Sequence, residues 1–240
     1  FILNDIKILW IVTELFYREE TSTAFILTKI ANALSDKFDV NVICGPESYG
    51  RAALEDNPST KLSLDGRIKI HRVSNCNLNK DKIFTRLLRF LIIGFKLSFL
   101  EQKNAKKQDR VFIVTNPAPL LISVALIKRI KKFPLYILVH DVFPENTIPA
   151  GVISSDKTFG YKLLRKCFNW AYKSADCLIV LGRDMRQIMK SKLGKNQNNT
   201  KIEIIENWAE NDIAQLNPVN KSKNIVIQYA GNIGRVQGLK

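Results

Sequence analysis

The feature that most restricts the fold of this chain is a regular alternation between short apolar runs and longer segments of helical periodicity. Apolar runs at residues 6–12 (IKILWIV), 40–44, 68–73, 111–115, 135–139, 177–181, 202–205 and 225–230 are rich in Ile, Val and Leu. They read as strands buried on both faces, because a strand with one wet face alternates apolar and polar residues. Helical patterns fill the gaps at 23–37, 82–102, 120–132, 158–174 and 183–193, and residues 46–66 are polar and turn-rich. Strands alternating with helices pack as a parallel sheet with helices on its faces. The expected fold is therefore α/β, a Rossmann-like doubly wound parallel sheet.

In such sheets ligands bind beyond the C-terminal ends of the strands, where the connections diverge. That rule selects Glu14 and the Glu19–Thr23 loop, Asn116, the segment from His140 and Asp141 to Glu145, Gly182-Arg183, Asn207 and the turn from Gly231. His140 is the strongest candidate: it ends an apolar strand and is followed by Asp-Val-Phe-Pro-Glu, a poor continuation of a core. The competing reading is a histidine that only satisfies loop backbone groups. His71, the other histidine, lies mid-strand between Lys69 and Arg72 and is explained by a solvated sheet face. Glycines at 231, 234 and 238 after the last strand let backbone N–H groups approach a phosphate, with Arg235 beside them. Their spacing matches neither the dinucleotide fingerprint nor a Walker loop. In the first loop, Ser22 or Thr23 is equally well read as a helix N-cap.

The formal net charge of +15 favours an anionic partner: nucleic acid, an acidic membrane face or a phosphorylated substrate. No nucleic-acid recognition motif accompanies the charge, so no nucleic acid is expected as partner. Residues 82–102 carry Arg86, Arg89 and Lys96 among Phe84, Leu87, Phe90 and Leu91. This suits a helix lying on anionic lipid and equally one packing a single face on the sheet. The four cysteines lack C-x-x-C spacing and read as buried hydrophobes. No signal peptide opens the chain, the missing initiator Met suggests a trimmed start, and residues 87–100 are too short and too charged to span a bilayer. Asp-x-Asp, H-E-x-x-H, G-x-S-x-G and G-K-[ST] are all absent, which leaves the corresponding metal-diphosphate, protease, hydrolase and P-loop routes unsupported.

The order of the strand-one loop, ILVHDVFPE, YKSADCLIVLG, IIENWAE and YAGNIGRVQGL resembles glycosyltransferase family 4 of the GT-B fold, over residues 6–240. The branch it is most similar to builds bacterial capsule, O-antigen and colanic-acid-type polysaccharides. The resemblance implies a retaining, metal-independent transferase using no cofactor, with a nucleotide-sugar (a UDP-sugar) as donor. The implied acceptor is a polyprenyl-diphosphate-linked glycan, and the implied location is cytoplasmic, peripheral on the inner face of the cell membrane, where an anionic surface suits the charge. It implies that His140 is catalytic and faces the donor sugar. Glu20, Thr21, Ser22 and Thr23 then lie by the donor phosphates, Asn207 marks the start of the linker, and Gly231, Asn232, Gly234 and Arg235 start the donor domain's phosphate loop.

Two features depart from the family pattern. The first loop reads Glu-Glu-Thr-Ser-Thr where glycines are common, and Gly231-Asn232-Ile233 lacks the usual arginine, leaving Arg235 as its substitute. The expected organisation is an acceptor-side domain at 1–208, a linker at 209–223 and the start of a nucleotide-sugar domain at 224–240. On that reading the 240-residue chain alone is inactive. The alternative is a non-catalytic module that docks on a membrane or a partner.

Overall fold

The computed structural model describes residues 7–19, 21–46, 62–74, 83–194 and 200–208. The expected linker, the strand at 225–230 and the start of a second domain lie outside the described residues, as do Glu20, Gly231, Asn232, Gly234 and Arg235. The strands are β1 (Ile8–Thr13), β2 (Asp39–Cys44), β3 (Lys69–Arg72), β4 (Arg110–Val114), β5 (Leu135–Val139), β6 (Cys177–Val180) and β7 (Lys201–Ile204). The helices are α1 (Ser22–Leu34), α2 (Ile83–Asn104), α3 (Ala118–Lys131), α4 (Phe159–Lys173) and α5 (Arg183–Leu193). A short 3-10 turn at Glu145–Thr147 has no counterpart in the sequence pattern, which does not separate it from loop.

Among the described residues the seven strands are all parallel, in the order β3-β2-β1-β4-β5-β6-β7. The chain lays strands outward from β1 to β3, then crosses back to place β4 on the other side of β1. The strand order therefore reverses between β1 and β4, and the connections leaving these two neighbours part in opposite directions.

Alternate residues of each strand enter two cores. Leu9 and Ile11 of β1, with Val42, Val114 and Leu138, pack against Leu27 and Ala31 of α1. Trp10 and Val12, with Ile113, Ile137, Val139 and Val180, face Ile93, Leu97, Leu120, Val124, Phe168 and Met189 of the other four helices. This two-sided burial is why the strands read as unbroken apolar runs.

Several local features differ from the pattern reading. α3 begins at Ala118, not Leu120, because Pro119 in a first helical turn removes only an N–H that has no intrahelical acceptor. The α1 N-cap is Thr21, not Ser22 or Thr23: its backbone is extended and its hydroxyl accepts the Ala24 N–H at 3.2 Å. His71 is not on an open sheet face but half-buried, with its ring 5.6 Å from that of Trp10 and Nε2 3.3 Å from the Asn41 side-chain oxygen. Cys44 is buried, whereas Cys167 and Cys177 are half-buried, and Cys76 lies outside the described residues.

For α2 the packing is one-sided. Ile93, Leu97, Ser98 and Glu101 are buried, while Leu88, Leu91, Phe95 and Phe99 form an exposed row, up to 68% exposed at Phe99. Gly94 lets α2 approach the first turn of α3, since a Cβ there would lie 3.1 Å from Pro119 Cβ. No helix among the described residues is long and apolar enough to cross a membrane.

Glu101 is fully buried near the end of α2, and its carboxyl oxygens have no hydrogen-bond partner among the described residues. Desolvation pushes its pKa up to about 8, against a weaker opposing pull from the charge of Lys131. The carboxyl is thus protonated in the folded chain at neutral pH and ionised in the unfolded chain. Its stabilising contribution is complete below the ordinary value of 4.5 and is lost as pH rises from there through about 8. Glu101→Gln should remove this dependence. In urea unfolding, the variant's advantage over wild type should grow by about 1 kcal/mol or more between the two ends of that window. A constant difference would show that the carboxyl is not held neutral.

Candidate functional site

The reversal of strand order places the loops after β1, β4 and β5 side by side, and each is tied down by polar contacts. After β1, the Thr13 hydroxyl donates to the Leu15 carbonyl at 3.1 Å, and the Glu14 carbonyl accepts the Gly45 N–H at 2.9 Å. A Cβ at Gly45 would stand 2.5 Å from that carbonyl oxygen, so the approach of the β1 and β2 ends requires glycine. Arg72, at the end of β3, donates to the carbonyls of Gly45 at 3.2 Å and Tyr17 at 2.8 Å, holding the first loop from the other side. The loop ends at Thr21, which is occupied as the helix cap; Ser22 is exposed and Thr23 half-buried in the first turn of α1.

After β4, Thr115 is fully buried. Its hydroxyl oxygen accepts the backbone N–H of His140 at 3.1 Å and of Asp141 at 2.9 Å. One side chain thus satisfies both amides that leave the sheet after β5, each of which would otherwise be a costly orphan. Asn116 follows, half-buried, in a cis peptide bond to Pro117, and α3 starts immediately after.

The β5 loop carries the group with the most evident chemistry. His140 is half-buried; its Nε2 is shielded from solvent and has no hydrogen-bond partner among the described residues. Burial lowers its pKa below the ordinary 6.5, against the opposing influence of Asp141. The imidazole is therefore neutral at physiological pH, able to offer one nitrogen as donor and the other as acceptor. Asp141 is fixed by the Asn146 amide, which donates to it at 2.8 Å.

Farther along the loop, Phe143 stacks on Phe168 of α4 with ring centroids 5.6 Å apart. Its N–H donates to the Tyr172 hydroxyl at 3.2 Å, and its carbonyl accepts from Lys192 Nζ of α5 at 3.0 Å. Lys192 also forms an ion pair with Glu145, its Nζ 2.7 Å from a carboxylate oxygen. Its remaining neighbours are the Asn169 side-chain oxygen at 3.2 Å and the Tyr172 ring, whose centroid is 5.6 Å away. Desolvation lowers the Lys192 pKa and raises that of Tyr172.

Of the residues singled out from sequence, Glu14, Thr21, Asn116, His140, Asp141 and Glu145 belong to these three adjacent loops, and Ser22 and Thr23 open α1 where the first loop ends. Gly182 caps α5 behind β6 with Arg183 exposed beside it, and Asn207 is exposed beyond the edge strand β7, away from the reversal. Sequence reading missed Thr115, Tyr172, Arg72 and Lys192. For Lys192 a signal existed: it falls in the row Met185, Met189, Lys192 and Leu193, a charge on the apolar stripe of α5. Among the described residues no three His, Cys, Asp or Glu side chains are grouped to hold a metal ion.

Comparison with known proteins places this geometry. Residues 25–212 match the model of Glycosyltransferase Family 4. The chain is 33% identical to the "Probable glycosyltransferase WbjE" of Pseudomonas aeruginosa, over 97% of this chain and 57% of that protein, so it spans little more than half of its relative's length. Among solved structures it is similar to TcCGT1 in complex with UDP, with TM-score 0.51 and 9% identity over 95% of this chain and 54% of that one. The Candida albicans trehalose-6-phosphate phosphatase N-terminal domain gives TM-score 0.51 at 10% identity, covering 82% of this chain and 47% of that one. At such identities the structural likeness speaks for the shared fold alone. The family match and the WbjE relationship carry the assignment: this chain belongs to glycosyltransferase family 4.

Proposed function

We propose that this chain forms the acceptor-side wall of a glycosyltransferase that moves a sugar from a nucleotide-sugar, a UDP-sugar, onto a polyprenyl-diphosphate-linked saccharide in bacterial surface polysaccharide synthesis. The transfer retains anomeric configuration and requires no metal. The observation that carries the reading is His140: a neutral imidazole whose Nε2 has no hydrogen-bond partner among the described residues, held at the end of β5 beside the reversal of strand order. An imidazole in that state suits a hydrogen bond to a sugar hydroxyl, because it adds no full charge and, among the described residues, its Nε2 has no partner to give up. Asn116 and Glu14, on the loops that follow the neighbouring strands β4 and β1, are assigned to the acceptor in this reading.

Attachment to an anionic membrane face is part of the same proposal. The exposed row Leu88, Leu91, Phe95 and Phe99 on α2 continues into exposed Lys103 one turn later. A helix presenting apolar residues with a cation at the end of the row, on a chain of net charge +15, matches the chemistry of an anionic lipid surface.

In the full-length protein, UDP, UDP-glucose or UDP-N-acetylglucosamine should bind in calorimetry. His140→Ala should lower turnover by about 10²-fold or more without changing the unfolding temperature. The acidic limb of wild-type kcat/KM should fall below pH 6.5, in line with the lowered pKa of His140. Normal turnover in His140→Ala would remove this residue from the site, and failure to bind any of the three nucleotides would overturn the donor assignment. Separately, vesicles of phosphatidylcholine containing phosphatidylglycerol should bind the chain about tenfold better than the Phe95→Ser/Phe99→Ser variant. Equal binding would end the membrane proposal.

A further inference from the structure

We propose that Lys192 is a positioning residue that locks the far end of the His140 loop, so that the imidazole is presented at a fixed place in the crevice. The role of the histidine rests on the glycosyl-transfer reading; how its loop is held does not. The case begins with the backbone. At Val139 the chain leaves the sheet, so the polar groups that follow lose their ladder partners. The N–H groups of His140 and Asp141 are recovered by the Thr115 hydroxyl oxygen, which accepts both. The polar groups of Phe143 are recovered from the opposite side, its N–H by the Tyr172 hydroxyl and its carbonyl by Lys192. The imidazole therefore sits on a segment pinned at both ends, from β4 at one and from α4 and α5 at the other.

The position of Lys192 is an unusual one for a lysine that serves only stability. Its side chain is 2% exposed, on the buried face of α5 among Met189 and Leu193. An ammonium taken out of water is unfavourable, and a buried ion pair rarely does better than an apolar residue of the same volume. Stability alone would be served as well by methionine there. What methionine cannot do is reach from α5 to a carbonyl of the β5 loop and, with the same atom, to Glu145 of that loop and Asn169 of α4. The charged and titratable groups facing Lys192 are Glu145 from the loop and Arg165 and Tyr172 from α4. Among the described residues only Glu145 opposes the ammonium with a negative charge, and it belongs to the segment being held.

The test is residue-resolved hydrogen exchange on Lys192→Met in the full chain, with turnover measured in the full-length protein. The amides of His140, Asp141 and Phe143 should exchange about tenfold faster while those of β5 and β6 are unchanged. With the UDP-sugar and lipid-linked saccharide of the transfer assay, kcat should fall about tenfold with donor KM held, as expected when a reacting group is misplaced and not lost. Equal acceleration throughout β5 and β6 would show a general structural role and overturn the proposal. So would unaltered protection of the loop, or a loosened loop with unaltered kcat. If Lys192→Met does not fold, Tyr172→Phe, which removes only the acceptor for the Phe143 N–H, should loosen the same three amides, and unchanged exchange there is equally fatal. A wild type that transfers no sugar would sink the glycosyl-transfer reading, while the exchange data still decide whether Lys192 holds the loop.

Discussion

A parallel sheet covered on both faces uses up its polar backbone groups in strand pairing and its side chains in packing, so chemistry is confined to the ends of its strands. Which end opens is decided by connectivity. Because β4 is placed beside β1 after the chain has run out to β3 and back, the loops after these two strands turn away from each other and leave a crevice. The loops after β1, β4 and β5 inherit their location from that single reversal. The polar contacts that fix them, from Arg72, Thr115, Tyr172 and Lys192, hold in place a geometry that the topology has already set.

Two buried ionisable groups show how differently one fold treats charge. Lys192 is surrounded by the Phe143 carbonyl, the Glu145 carboxylate, the Asn169 amide oxygen and an aromatic face, which oppose but do not cancel its desolvation. Glu101, near the C-terminal end of α2, has no such hydrogen-bond partners among the described residues and remains neutral at pH 7. The first group organises the loop that carries His140. The second stays out of the charge balance until alkaline pH forces it to ionise.

The layered architecture was legible in the sequence because two-sided burial writes itself as unbroken apolar runs. β5 and α5 were readable to the residue, as Leu135–Val139 and Arg183–Leu193. Boundaries failed where local chemistry permits two answers: Pro119 forbids a helix interior yet suits a first turn, and Thr21, Ser22 and Thr23 can each cap the same helix. His140 stood out because a histidine after an apolar strand has few innocent explanations. Thr115 and Lys192 did not, since each acts on a residue 25 or 49 positions away, and pattern reading sees only near neighbours.

The one-sided packing of α2 connects the proposed membrane face to the crevice. Gly94 of α2 lies against Pro119 in the first turn of α3, and that turn follows directly from Asn116 at the end of β4. The middle of the exposed row, at Leu91 and Phe95, flanks Gly94 along the same helix and so lies near the turn where α2 meets α3. An acceptor whose reactive sugar is joined through a diphosphate to a chain embedded in lipid can reach a site only a short distance above the bilayer. On the proposed reading, the helix that would touch the membrane is packed against the element that starts at the site. The reach of the acceptor would then be set by the α2–α3 contact, and hence by the absence of a side chain at Gly94.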